Sequence, residues 1–405
     1  MNENGSHLFR EGSIGSLRLS NRMIRTASHE GLADENGSPT EAQFQFYKGF
    51  VSGGIGLVIT GYAGISRVGM SALYHMTMID RDELIDSHRA MTRRIHDLGG
   101  KIVLQIAHCG RQTWSKETGL PLQAPSAVAC GFYREKPHAM TEDEIRQTID
   151  DFAAAAAHTK EAGYDGVEIH GAHGYLLSTF LSRHANKRTD RWGGGAENRF
   201  RIVAEVLRAV RLAVGDEFPV LIKLNTFERA RLGTKPDDCV RFARMVEQTG
   251  CCDAVELSCG TNEGGFIMAR GGFPTNAILK YMRPYNGYNP VVKFLMKTFY
   301  IPFEKLRQPS FTEGYNLDTA ARVKQETALK VITVGGMRSK AVMEDAIASG
   351  KTDFVSMARP LIAEPDLANK FRTGRSDVAL CNNCNDCVVA ADTQPIKCYA
   401  DFALT

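Results

Sequence analysis

His170, His173 and Tyr175 fall within the six residues 170–175, in the run Val-Glu-Ile-His-Gly-Ala-His-Gly-Tyr-Leu-Leu that begins at Val167. A single histidine at the end of an apolar run is ordinarily a hydrogen-bonded core residue. Two imidazoles and a phenol interleaved with Gly171, Ala172 and Gly174 are different, because the small residues let backbone and ligand approach closely. Zinc ligation is one chemistry open to such a pair. Hydrogen-bond donation to a carbonyl oxygen is the reading adopted. Gln105 and Lys223 add an amide and a cation to otherwise apolar runs. Gly335-Gly336 and Ala358-Arg359-Pro360 offer backbone N–H groups and a guanidinium, which suit a monoester phosphate. Phosphate, amide and cation together imply a bound cofactor.

A second constellation lies near the C-terminus. Of ten cysteines, Cys381, Cys384 and Cys387 stand at two-residue gaps and Cys398 follows after ten intervening residues. Such a thiolate set serves a [4Fe–4S] cluster, while structural zinc takes the same four ligands in a tetrahedron. Unligated thiols are the third reading. The other six cysteines are scattered, as reduced buried cysteines are.

These groups need a frame. Eight short apolar, β-branched runs recur along the chain: Met23–Ser28, Leu57–Ile65, Ile102–Ala107, Gly166–His170, Val220–Leu224, Ala254–Ser258, Val331–Val334 and Phe354–Met357. Between them are helix signals, such as Thr141-Glu-Asp-Glu opening an alanine-rich stretch that ends at Gly163. Nearly continuous apolar runs are how parallel strands covered on both faces read. Eight βα units close into an α/β, (β/α)8 barrel. An open doubly wound sheet would want a G-x-G-x-x-G turn after a strand, whereas Gly53-Gly54-Ile55-Gly56 precedes one and lacks the third glycine. In a barrel, chemistry belongs to the C-terminal ends of the strands. Two long connections leave that face, 171–197 after strand four and 259–316 after strand six, and loops of such length are commonly functional.

At this point the chain resembles the FMN-dependent Old Yellow Enzyme class of NADH:flavin oxidoreductases, from about Leu19 to Phe371. The resemblance rests on Asn21-Arg22, Gln105, Glu168-Ile-His-Gly-Ala-His-Gly-Tyr-Leu-Leu, Phe180-Leu-Ser, Asn186-x-Arg188-Thr-Asp190, Gly193-Gly194, Glu197-Asn198-Arg199 and Ala358-Arg359-Pro360. It implies that Thr26, Ala27, Ser28 and His29 line FMN and that Gly61 touches it by backbone. Gln105 would read the pyrimidine edge and Lys223 would sit near N1 and O2. Gly335, Gly336, Ala358 and Arg359 would hold the phosphate. His170 and His173 would bind the oxygen of an enone and Tyr175 would protonate its α-carbon, an effect worth about 10²–10⁴ in rate. The sequence departs from the usual pattern at Lys223, often arginine, at Ala358, usually glycine, and at Trp192, commonly tyrosine. The tail resembles the iron–sulfur segment that follows the barrel in 2,4-dienoyl-CoA reductase and trimethylamine dehydrogenase, and His29 resembles the former.

The expectation is a barrel over residues 1–375, carrying an insertion at about 260–316, followed by a cysteine-rich tail at 376–405. Its activity would be reduction of an activated C=C bond in a small-molecule substrate with NAD(P)H-derived electrons. An oxidative dehydrogenase or demethylase, and a flavin-binding electron-transfer subunit, are the alternatives. With 49 basic and 46 acidic residues the net charge is +3, which speaks against nucleic acid as a partner. No apolar leader or membrane-spanning run is present, so a cytoplasmic protein is expected, as a homo-oligomer or with an electron-transfer partner. The run Val291–Phe303 is more apolar and aromatic than a solvated loop. It reads as a substrate lid or a subunit contact, with a membrane-surface segment least favoured because it holds only two lysines.

Overall fold

The computed structural model describes residues 5–400. Eight parallel strands form the barrel: β1 (Met23–Arg25), β2 (Leu57–Ile59), β3 (Ile102–Ala107), β4 (Val167–Gly171), β5 (Val220–Asn225), β6 (Ala254–Ser258), β7 (Lys330–Val334) and β8 (Phe354–Met357). Each pairs with its chain neighbour, and β8 pairs with β1 through Val355 opposite Met23, which closes the ring. Eight helices follow the strands in turn: α1 (Glu41–Ser52), α2 (Ile85–Asp97), α3 (Glu142–Glu161), α4 (Ala196–Val214), α5 (Pro236–Thr249), α6 (Leu317–Glu326), α7 (Lys340–Ala348) and α8 (Leu367–Thr373). Thr141 and Glu144 satisfy each other's backbone N–H groups at the start of α3, the capping box that the sequence signals there. The first two strands are shorter than their apolar runs, so Thr26–His29 and Gly61 lie in loops beyond them.

Side chains on a strand alternate between faces, so one inward row from each strand fills the barrel. At the base these rows are apolar: Ile24, Leu57, Ile59, Val103, Leu221, Ala254, Ile332 and Phe354 pack together. A hairpin of Gly12–Ile14 and Leu17–Leu19 adds Ile14, Leu17 and Leu19 to this cluster and closes the bottom. Two residues further along the same rows come Gln105, Lys223, Glu256 and Ser356, and β4 contributes Glu168. Another two bring His170, Asn225 and Ser258 to the C-terminal rim. Apolar burial therefore stabilises the base while polar groups are raised, layer by layer, to the open end. The main hydrophobic core lies outside the ring, between strands and helices, and includes Phe152, Phe200, Phe242 and Phe371.

The connection after β6 holds a helix, Thr275–Tyr281, and a helical run at 290–306. Beyond α8 the chain turns back across this connection, with a one-turn helix at Asp386–Ala390. No helix among the described residues is long and apolar enough to cross a membrane.

Candidate active site

The middle layer is ionic. Register places Lys223 beside Glu256 of β6 and His170 of β4, and Gln105 beside Glu168. Lys223 Nζ lies 2.7 Å from Glu256 Oε2, 3.5 Å from Glu168 Oε2 and 3.0 Å from Thr26 Oγ1, to which it donates. Gln105 Nε2 donates to Glu168, and Ser356 Oγ donates to Glu256 at 2.6 Å. All these side chains are buried. Burial raises the Glu168 carboxyl well above the usual range, against the pull of Lys223 and with the Glu256 charge adding to the rise. Burial would raise Glu256 too, but Lys223 and the hydrogen bonds it accepts outweigh that and bring it down to about 2. Burial disfavours the Lys223 cation, and the two carboxyl groups more than restore it. One cation facing one carboxylate and one protonated acid is the charge state that burial tolerates. Lys223 is thus a balanced cation, a feature that sequence reading, which missed Glu256, did not show.

On the rim, His170 and His173 stand with ring centroids 5.1 Å apart, and His170 is 4.9 Å from Tyr175. His173 adopts φ +60°, a left-handed backbone that a non-glycine residue takes at a cost. It is held there by Asn225 Oδ1, which accepts from its N–H at 3.1 Å, and by Gln112 Nε2, which donates to its carbonyl at 2.8 Å. Its Nε2 lies 2.7 Å from Ser258 Oγ. Burial, aided by the Lys223 charge, depresses His173 to about 3, and burial with His173 and Lys223 nearby keeps His170 well below its ordinary value. Both imidazoles are neutral at pH 7. Tyr175 is buried too, and burial raises its phenol well above 10. Its hydroxyl donates to Tyr62 Oη at 3.0 Å, and Tyr62 is 3.3 Å from Ser71 Oγ. Tyr62 also stacks on His170 at 6.0 Å and lies 5.5 Å from His29. Sequence reading passed over Tyr62; a polar-tipped aromatic inside the apolar run Leu57–Ile65 was the available signal.

The segments after β1 and β2 are tied together by Glu30. Its carboxylate pairs with Arg25 at 3.0 Å, accepts from Gly61 N at 2.9 Å and receives Tyr47 Oη. Arg25 in turn donates to Thr26 O, Ser28 Oγ and Ile59 O. A Cβ at Gly61 would stand 2.7 Å from Ser28 O, so only glycine allows the two loops to meet. Ala27 packs on the basal apolar cluster, and His29 Nε2 lies 2.7 Å from Tyr74 O.

On the far side, Gly335 and Gly336 follow β7 with φ +134° and +72°. A Cβ on the second would come 2.4 Å from Thr312 O. Ala358 precedes a short helix, Arg359–Ala363. Arg359 Nη1 donates to Arg270 O at 3.1 Å and to Asn385 Oδ1 at 2.6 Å, so the expected phosphate arginine also grips the tail. Asn385, itself at φ +70°, donates back to Ala269 O and Gly272 O. The expected set is consistent with an extended planar cofactor ending in phosphate. Glu168 Oε1 and His170 Nδ1 are buried without a hydrogen-bond partner, and a ring bearing carbonyls and N–H groups would satisfy them.

Cys381 and Cys387 are buried, and Cys384 and Cys398 half-buried, all as free thiols. Burial pushes the Cys387 thiol up to about 12, with Cys381, Cys384 and Cys398 each adding to the rise. Among the described residues, no three potential ligands converge on a metal position.

The model of the NADH:flavin oxidoreductase / NADH oxidase family matches residues 7–255 and 295–378. The chain belongs to this family. The NADH oxidase of Thermoanaerobacter brockii is 31% identical over 382 residues, which cover 94% of this chain and 53% of that protein. The chain spans about half the length of several such relatives. It is also 29% identical over 388 residues to the 4,4'-dithiodibutanoate disulfide reductase of Rhodococcus erythropolis, covering 94% of this chain and 92% of that one. Among solved structures, 2-naphthoyl-CoA reductase superposes with a TM-score of 0.80 at 25% identity, over 96% of this chain and 56% of that one. The family match leaves out 256–294, the end of β6 and the first part of the insertion, and stops short of the four tail cysteines.

Proposed function

We propose that this member of the family reduces a C=C bond conjugated to a carbonyl, with FMN as its cofactor and NAD(P)H as the electron source. The observation that carries the reading is the rim set: two neutral imidazoles beside a phenol that burial keeps protonated. FMN, when bound, would supply the hydride that adds to the β-carbon of the substrate. As negative charge builds on the carbonyl oxygen, N–H groups of His170 and His173 stabilise it in the manner of an oxyanion hole. Tyr175 then gives its proton to the α-carbon. Thr26–His29, Gly61 and Gln105 would line the ring, with Lys223 near its pyrimidine side; Gly335, Gly336, Ala358 and Arg359 would hold the phosphate. Oxidation of an amine, the activity named for the N,N-dimethylglycine/sarcosine dehydrogenase relative, fits the phenol less well. A phenol that burial keeps protonated at neutral pH is not available as a base.

Cys381, Cys384, Cys387 and Cys398 would hold a [4Fe–4S] cluster, with zinc as the competing occupant. The test of the main reading is a pair of half-reactions. His170→Ala and His173→Ala should each weaken binding of a phenolate ligand and slow reoxidation by an enone about 10²-fold, while reduction by NAD(P)H persists. A protein that neither carries nor takes up FMN refutes it.

A further inference from the structure

We propose that the helical run 290–306 is a membrane-surface anchor, lying in the headgroup layer of an anionic lipid bilayer. The run is built from Pro290–Leu295, a wider π-helical turn at Met296–Tyr300, and Ile301–Leu306. Ile301 is its one buried residue among those described. Its apolar side chains recur three and four residues apart, which on a helix makes a single stripe. That stripe faces solvent instead of the barrel. Phe294 is 65%, Phe299 71% and Leu306 86% exposed, and Val291, Leu295 and Phe303 are exposed beside them. Exposed apolar residues are normally scattered; a contiguous row of this kind marks a surface that something covers.

The charges beside the stripe select the occupant. Lys293, Lys297, Lys305 and Arg307 stand against the single acid Glu304, which Arg307 neutralises at 3.2 Å. No ion pair among the described residues involves any of the three lysines; Lys293 Nζ donates back to Asn286 O at 2.8 Å, and Lys297 and Lys305 are exposed. Pairing with the same helix of a second copy would bring two sets of these lysines together. The face is also small for that purpose. A run about 25 Å long presents a strip of roughly 250 Å², against about 800 Å² per partner in a stable protein interface. Bulky apolar groups on one side, with lysines beside them, are what a helix lying in an anionic interface needs. Tyr288 and Tyr300, both exposed, are suited by their amphipathic rings to headgroup depth. The sequence alone understates this, because the positive charge continues past Phe303 to Lys305 and Arg307, and only the fold turns the stripe outward.

The test is sedimentation of the full chain with vesicles, and the positions substituted are exposed and lie outside the rim residues. Vesicles of phosphatidylcholine alone are compared with vesicles in which roughly one third of the lipid is phosphatidylglycerol. The wild-type chain should bind the anionic vesicles roughly tenfold or more better, and salt should release it. Phe294→Glu with Phe299→Glu, and separately Lys297→Glu with Lys305→Glu, should each reduce binding about tenfold or more, with unfolding temperature unchanged. Absence of binding to anionic vesicles overturns the proposal. That holds whether the chain then proves to be a dimer broken by Phe299→Glu, a complex with an acidic protein, or a monomer.

Discussion

Tyr175 is the residue whose surroundings define its role most sharply. Its hydroxyl is buried, kept protonated, and in contact with one other hydroxyl, that of Tyr62. Tyr175→Phe should leave reduction by NAD(P)H nearly intact and slow reoxidation by an enone about 10²–10⁴-fold, as stopped-flow measurement of the two half-reactions would show. Equal slowing of both would mean that the ring is merely packing. Tyr62→Phe removes the acceptor and leaves the donor, so its effect on the second half-reaction should be smaller, within about tenfold. The histidine and tyrosine were legible because three unusual side chains crowd one strand end. Tyr62, Glu30 and Glu256 were not, because each is an ordinary residue type whose partner lies far along the chain, as Glu256 does from Ser356.

At the scale of elements, the turn after β7 combines special backbone with close packing. Gly336→Ala would place a methyl against the Thr312 carbonyl at a positive φ, and should cost about 2–4 kcal/mol, read as a lower denaturant midpoint. If the turn also cradles phosphate, retention of FMN should fall in the same variant. The tail is a second element whose role turns on contacts with others. Arg359 and Asn385 join the expected phosphate site to the cysteine segment, so Arg359→Ala should loosen both FMN and the tail. Anaerobic metal analysis decides what the cysteines hold: about four irons per chain, lost together in Cys384→Ser, are expected, whereas one zinc would make the tail a fold staple.

Over the whole molecule, buried neutral histidines set a response to acid. Burial brings His29, His88 and His108 each down to about 4, whereas in the unfolded chain they titrate near 6.5. Between those values the unfolded chain takes up protons that the folded chain refuses. Stability is therefore complete above about pH 6.5 and is lost toward pH 4, at up to about 1.4 kcal/mol per pH unit for each histidine. His88 is the cleanest probe, since it bonds Tyr164 Oη and Met78 O away from the rim. His88→Gln should flatten the slope of unfolding free energy against pH over this window, whatever it does to stability at pH 7; an unchanged slope would show that His88 titrates normally in the fold.

The barrel was readable from sequence because a strand buried on both faces must be apolar nearly throughout, and eight such runs separated by helix signals have few ways to close. The rim residues were readable because glycine, histidine and tyrosine in alternation are uncommon at the end of such a run. Side-chain direction across the ring was not readable. Only strand pairing brings Lys223 of β5 against Glu256 of β6 and makes it a balanced cation, because the register between strands is a property of the sheet and not of either segment. The same holds for the 290–306 run. The sequence marks it as more apolar and aromatic than a solvated loop, while its helical form and which face meets the protein depend on how the insertion folds back. Tertiary structure alone decided that the apolar face is the free one.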